Sequence, residues 1–154
     1  MDIVGKQKRS EMMSGIKGKN TKPELQIRSL MHGLGYRYRL HDKTLPGRPD
    51  LVLRKYSAVI QVHGCFWHRH DCHLFKWPSS RPDFWRDKIT TNASRDCSNL
   101  KKLKQLGWRV LTIWECALKG KDKLDLTEVG ERIECWLHND SLSEEIRGLT
   151  TRDS

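Results

Sequence analysis

Eleven consecutive residues constrain this chain more than any other stretch: His63-Gly64-Cys65-Phe66-Trp67-His68-Arg69-His70-Asp71-Cys72-His73. They hold four histidines, two cysteines and two adjacent aromatics. Such groups are costly to bury unless something pairs them, and a metal ion is the commonest partner of imidazole and thiol together. The stretch follows the strongest strand pattern in the chain, Ala58-Val59-Ile60-Gln61-Val62. That strand is preceded by Leu45-Pro46-Gly47-Arg48-Pro49-Asp50, a turn-rich loop ending in a carboxylate. Leu51-Val52-Leu53 and the strand from Ala58 then read as an antiparallel hairpin turning at residues 54–57. Asp50, Val62 and His63 meet at its open end.

Composition narrows the class. A chain of 154 residues is one domain with room for a real core. No apolar run is long enough for a membrane helix, and residues 1–6 carry no apolar secretory core, so we expect a cytoplasmic protein without a membrane partner. Five cysteines in such a chain argue for metal binding and packed thiols rather than a disulfide framework. The net charge is +10, yet residues 122–154 carry nine acidic and four basic groups, which leaves residues 1–121 at +15. A basic body with six tryptophans suits a nucleic acid, because flat π-faces stack on bases while cations meet phosphates.

Along the chain, residues 6–22 carry six positive charges against one negative. We expect residues 1–21 to be a basic arm that orders on a phosphate backbone, with Lys17 and Lys19 as backbone contacts. Residues 22–138 form the main domain, and residues 139–154, which have no core pattern, a loose tail. Thr21-Lys22-Pro23-Glu24 starts a helix whose Ile27, Leu30, Met31 and Leu34 face the core and which Gly33 or Gly35 ends. Glu24 sits where a capping-box glutamate belongs. Residues 36–40 alternate as a strand. A long helix, capped by Asp83, carries the stripe Phe84, Ile89, Ala93, Cys97, Leu100 and Leu103 and stops at Gly107. Residues 108–114 form a strand, and a last helix holds Leu126, Val129, Ile133, Trp136 and Leu137. Cys97 and Cys135 fall on helix stripes as packed thiols. The expected fold is a single α/β domain with a central mixed sheet flanked by helices.

Cys65, His70 and Cys72, with Cys116 just beyond a strand end, make a set typical of closed structural zinc, with His68 and His73 as rival ligands. The hairpin resembles the active-site hairpin of PD-(D/E)xK nucleases, in which carboxylates and a lysine hold magnesium at a phosphodiester. This chain departs from that pattern, because Gln61-Val62-His63 replaces acid-x-Lys. Further segments carry a narrower resemblance: Arg9-Ser10, Met13-Ser14, residues 16–24, Leu45 to Asp50, His63 to His68, Phe84-Trp85, Asn92, Arg95-Asp96, Leu106-Gly107-Trp108-Arg109-Val110 and Trp114-Glu115-Cys116. Together they resemble the very short patch repair (Vsr) endonucleases over residues 8 to 118.

This resemblance implies a restriction-endonuclease-like fold and a strand-specific nick beside the thymine of T:G mismatches, which arise when 5-methylcytosine deaminates. It implies Mg²⁺ held by the Asp50 carboxylate and the Val62 carbonyl, His68 as general acid/base, His63 orienting or activating water, and Glu24 touching the ion's water shell. Structural Zn²⁺ maps to Cys65, His70, Cys72 and Cys116. Phe66, Trp67 and Trp85 map to mismatch-intercalating aromatics, and Arg48 either contacts phosphate or positions Asp50. The implied partner is double-stranded DNA bound by a monomer in the bacterial cytoplasm and nucleoid, with contacts to mismatch-repair proteins and a repair polymerase. A non-catalytic zinc-stabilised DNA-binding module and a small restriction endonuclease are the rival readings.

Overall fold

The computed structural model describes residues 21–149; the basic arm with Lys17 and Lys19 lies outside them. The described elements are α1 (Lys22–Gly33), β1 (Arg39–Leu40), β2 (Leu51–Leu53), β3 (Ala58–His63), α2 (Pro82–Gln105), β4 (Arg109–Trp114), α3 (Leu126–Leu137) and β5 (Ser143–Ile146). The strands form one sheet in the order β1-β2-β3-β4-β5. The first two pairings are antiparallel, and β3–β4 and β4–β5 are parallel, so the sheet is mixed as expected.

Each face of the sheet buries a different helix layer. Ile27 and Met31 of α1 join Val129, Ile133, Trp136 and Leu137 of α3 over Leu51, Leu53, Ile60, Leu111 and Ile113. The alternate residues Val52, Val59 and Val110 face Leu103 of α2. This period-two alternation leaves β2 and the first half of β3 buried on both faces.

Local signals explain the boundaries. The Thr21 hydroxyl accepts the Glu24 N–H at 3.4 Å, with Pro23 in the first turn of α1. Gly35, at φ +89°, turns the chain out of that helix. Gly107, at φ +93°, does the same after α2. Asp83 does not cap α2: Arg81 occupies the cap, Pro82 follows, and Asp83 sits in the first turn, where its charge favours the helix dipole.

Four further expectations are corrected. The strand expected over 36–40 shrinks to Arg39–Leu40, because β2 offers only three residues to pair with. Tyr36 and Tyr38 instead tie the helices, donating to Glu134 Oε2 at 2.9 Å and to the Arg28 carbonyl at 3.0 Å. Cys97 and Cys135 are exposed rather than packed. Phe84 is 45% exposed, so the stripe of α2 narrows to Ile89 and Leu103 as its fully buried members. The segment after Asn139 is not a loose tail throughout, since β5 pairs with β4 and buries Ile146. Arg109 anchors that return, donating to the carbonyls of Trp136, Leu137 and Ser141 while its guanidinium lies 4.4 Å from the Trp136 ring centre.

Candidate active site and metal centre

The antiparallel register of β2 and β3 pairs Leu51 with Ile60 and thereby brings Asp50 beside Val62. The Val62 N–H donates to Asp50 Oδ2 at 2.6 Å. These two residues thus meet through the Val62 amide, whereas the resemblance assigns the Val62 carbonyl to the ion. Glu24, 1% exposed, reaches the same place from α1. Its Oε2 accepts from Arg28 at 3.4 Å and lies 2.8 Å from His41 Nε2, which is 3.9 Å from Asp50 Oδ1. Glu24, His41 and Asp50 therefore offer two carboxylates and an imidazole, with ligand atoms within 4.8 Å of one another. Burial pushes the Asp50 carboxyl up to about 7, the Val62 N–H opposes the rise, and the neighbouring Glu24 carboxylate adds to it. Two crowded carboxylates in a partly desolvated cleft fit a small divalent cation, which offsets their repulsion and takes oxygen donors.

A second cluster completes the cleft. The His63 and His68 rings stack at 3.9 Å and 4°. His68 Nδ1 contacts Asp96 Oδ2 on α2. Since a carboxylate only accepts, Nδ1 carries the proton in this contact. Burial lowers the His63 pKa well below its ordinary value, and the charges of His68 and His70 add to the shift. Asp50, Val62, His63, His68, Asp96 and Arg48 all line one cleft of about 410 Å³.

Cys65, His70, Cys72 and Cys116 converge behind that cleft. Cys65 Sγ and Cys116 Sγ lie 3.5 and 3.6 Å from His70 Nδ1. Tetrahedral zinc with ordinary Zn–S and Zn–N bonds spaces such ligands by about 3.6 Å, so the donor set fits the ion in type and in size. Cys116 falls to about 4, chiefly through a hydrogen bond with Cys65, with the burial cost opposing and His70 and the Gly148 N–H assisting. Cys65 is pushed up by the same partner and by burial. A proton shared between buried sulfurs is one that a cation displaces. The centre is supported from behind: His70 stacks on Trp114 at 3.9 Å, and the amides of Cys116 and Gly148 donate to Cys65 Sγ and Cys116 Sγ, each at 3.3 Å. The rival His73 instead pairs with Asp122 at 3.0 Å.

Phe66, Trp67 and Trp85 form one aromatic cluster, with ring centres 5.2 to 5.7 Å apart. Trp67 is its floor at 7% exposure, while Phe66 and Trp85 are half-buried. Asn92 donates to the Trp67 carbonyl at 3.1 Å and fixes the loop against α2. Residue-by-residue reading missed His41 and Asp96. The i, i+4 spacing of Asn92 and Asp96 puts both on one face of α2 and is the signal that could have found Asp96. His41 had no local signal, because it reaches Asp50 and Glu24 only after the sheet has formed.

The family model described as DNA mismatch endonuclease Vsr matches residues 1–74. The DNA mismatch endonuclease Vsr of Escherichia coli (strain K12) is 45% identical over 145 residues, covering 94% of this chain and 93% of its own. The type II nicking enzyme V.NmeAIP of Neisseria meningitidis serogroup A is 46% identical over 120 residues, 78% of this chain and 86% of its own. The catalytic domain of the homing endonuclease I-Bth0305I superimposes at a TM-score of 0.49 and 23% identity, over 75% of this chain and 92% of that one. With that identity sustained over nearly the whole length of both chains, this chain belongs to the DNA mismatch endonuclease Vsr family.

Proposed function

We propose that this protein hydrolyses one strand of duplex DNA beside the thymine of a T:G mismatch and so opens the strand for repair to C:G. The observation that carries the reading is the meeting of Asp50, His63 and the His68–Asp96 pair in one cleft next to the Phe66–Trp67–Trp85 cluster. Relatives named as a mismatch endonuclease and as nicking enzymes support single-strand cleavage over a double-strand cut.

Asp50, with the Val62 carbonyl, would hold Mg²⁺, and Glu24 would touch the ion's water shell. That ion supplies charge neutralisation at the phosphate and lowers the cost of deprotonating water. His68 accepts a proton from the attacking water at Nε2, and Asp96 holds its ring and tautomer for that task. His63, kept neutral, orients the water rather than storing a proton. A new P–O bond forms to the water oxygen and the bond to the sugar oxygen breaks; solvent protonates the departing oxygen and takes back the proton held by His68, leaving a phosphate monoester and a hydroxyl. Cys65, His70, Cys72 and Cys116 would hold Zn²⁺, which ties the ends of β3 and β4 together and stiffens the loop that carries His68.

Phe66 and Trp85, seated on Trp67, act as the wedge beside the mismatch. Unstacking a step costs a few kcal/mol, and a wobble pair lowers that cost, which is a source of selectivity. Lys17, Lys19 and Arg48 contact the backbone. The protein acts as a monomer on DNA in the bacterial cytoplasm, in contact with mismatch-repair proteins and a repair polymerase. No described helix is long and apolar enough to cross a membrane.

The test is nicking of a T:G duplex and its C:G parent by the unaltered protein and by Asp50→Ala. We expect a nick in the T strand of the mismatch alone, lost in the variant while duplex binding persists. Equal nicking by Asp50→Ala, or cutting of both strands of the parent, overturns the assignment.

A further inference from the structure

A second cavity lies one layer out from the aromatic wedge, and the mechanism makes no use of it. Its volume is about 410 Å³, and Arg69, Trp77, Pro78, Pro82, Arg86 and Thr90 line it. That is within the range of ~300–1,000 Å³ common for small-ligand sites. The indole of Trp77 is 45% exposed, although an aromatic this large usually covers its faces. It is joined to the wedge by a row of rings: Phe66 to Phe75 at 6.1 Å and Phe75 to Trp77 at 5.0 Å. Arg86 directly follows Trp85 on α2, so the cavity and the wedge share both of their supports.

Among the described residues, neither Arg69 nor Arg86 takes part in an ion pair. The Arg69 guanidinium lies 5.5 Å from the Trp77 ring centre. The backbone that presents it is unusual. Arg69 stands at φ +53°, a left-handed conformation that non-glycine residues seldom adopt, and its neighbour His70 belongs to the candidate zinc set. Just before Pro82 in the chain, Arg81 stands at φ +49° with its guanidinium 4.5 Å from the Phe84 ring centre. Pro78 and Pro82 make stiff walls. An exposed indole, two guanidiniums outside any ion pair among the described residues, a hydroxyl and proline walls match a nucleotide: the base or sugar lies on the indole and the phosphate on the guanidiniums.

We propose that this cavity binds one nucleotide of the substrate duplex flanking the mismatch, with Trp77 as the stacking platform and Arg69 and Arg86 as the phosphate contacts. The proposal rests on the reading that the chain acts on duplex DNA, and it adds a specific contact outside the wedge and the cleft. Its consequence is that the two aromatic surfaces together fix the register of the duplex.

The experiment is equilibrium binding of T:G duplexes in magnesium-free buffer at several salt concentrations. Trp77→Ala should weaken binding by roughly tenfold, and Trp77→Phe should restore most of it. Arg86→Ala should lower the slope of log Kd against log salt by about one. An abasic residue scanned along the duplex should weaken binding of the unaltered protein at one flanking position, and Trp77→Ala should be insensitive at that same position. Arg86 is an exposed residue of α2, so its variant tests the idea even where Trp77→Ala proves unstable. Unchanged Kd and salt slope in Arg86→Ala, or an abasic scan that affects Trp77→Ala and the unaltered protein alike, overturns the proposal. Failure of the unaltered protein to nick would instead sink the proposed function, and the binding result would stand apart from it.

Discussion

Replacing Asp50 by Asn should abolish nicking and at the same time stabilise the protein in magnesium-free buffer at alkaline pH. The Asp50 side chain is only 18% exposed, and burial together with Glu24 raises its pKa from 3.8 to about 7. The sign follows from linkage. A group whose folded pKa is raised contributes stability that is complete below its unfolded pKa and lost as pH rises through the folded one. At pH 8 the carboxylate therefore costs up to about 4 kcal/mol, and about 2–3 kcal/mol of that is lost between pH 5 and pH 8. Asn keeps an oxygen to accept the Val62 N–H and carries no charge to desolvate. The variant should then melt higher than the unaltered protein at pH 8, by roughly 2–4 °C per kcal/mol in a chain of this size. The gap should shrink towards pH 5. His63 acts with the opposite sign, since its lowered pKa removes stability as pH falls through the unfolded histidine range, but it is common to both proteins and cancels in the difference. Thermal melts of both proteins from pH 5 to 8, with and without millimolar Mg²⁺, decide the matter. Mg²⁺ should raise the melting temperature of the unaltered protein alone. Equal melting temperatures at pH 8 and parallel pH profiles would refute the reasoning.

Three further outcomes are expected. Cys116→Ser should remove zinc from the purified protein by elemental analysis and lower its melting temperature, because the thiolate bridges the ends of β3 and β4; full zinc occupancy in the variant would contradict the assigned ligand set. Asp96→Asn should reduce single-turnover nicking on the order of 10²–10⁴-fold, through the lost hold on the His68 tautomer, with duplex Kd retained; a rate within a few-fold of normal would argue against that role. Gly148→Ala should destabilise the protein by about 1–3 kcal/mol, because a Cβ there would run into the Cys116 carbonyl oxygen and lie 2.7 Å from the Asp122 carbonyl oxygen; a melting curve unchanged from the parent would show that the loop yields freely.

Local pattern in the chain determined a good deal. Short apolar runs at 58–62 and 108–114 specified the central strands, the turn between Leu53 and Ala58 made the hairpin antiparallel, and that register carried Asp50 to Val62. Donor chemistry was largely local: Cys65, His70 and Cys72 fall within eight residues, and Cys116 stands just past the end of β4, which pairs with β3. Tertiary structure decided the rest, because those contacts join residues whose separation carries no period. Glu24, His41 and Asp50 come from a helix, a loop and a strand entrance, and Asp96 meets His68 across 28 residues only when α2 packs on the sheet. The same cause explains β5. Ser143-Glu144-Glu145-Ile146 is too polar to read as a strand, yet a free edge of β4, Arg109 gripping the end of α3 and the Gly148 amide on Cys116 draw it into the sheet. An edge strand needs only one buried face and a partner's backbone, and neither is written in its own side chains.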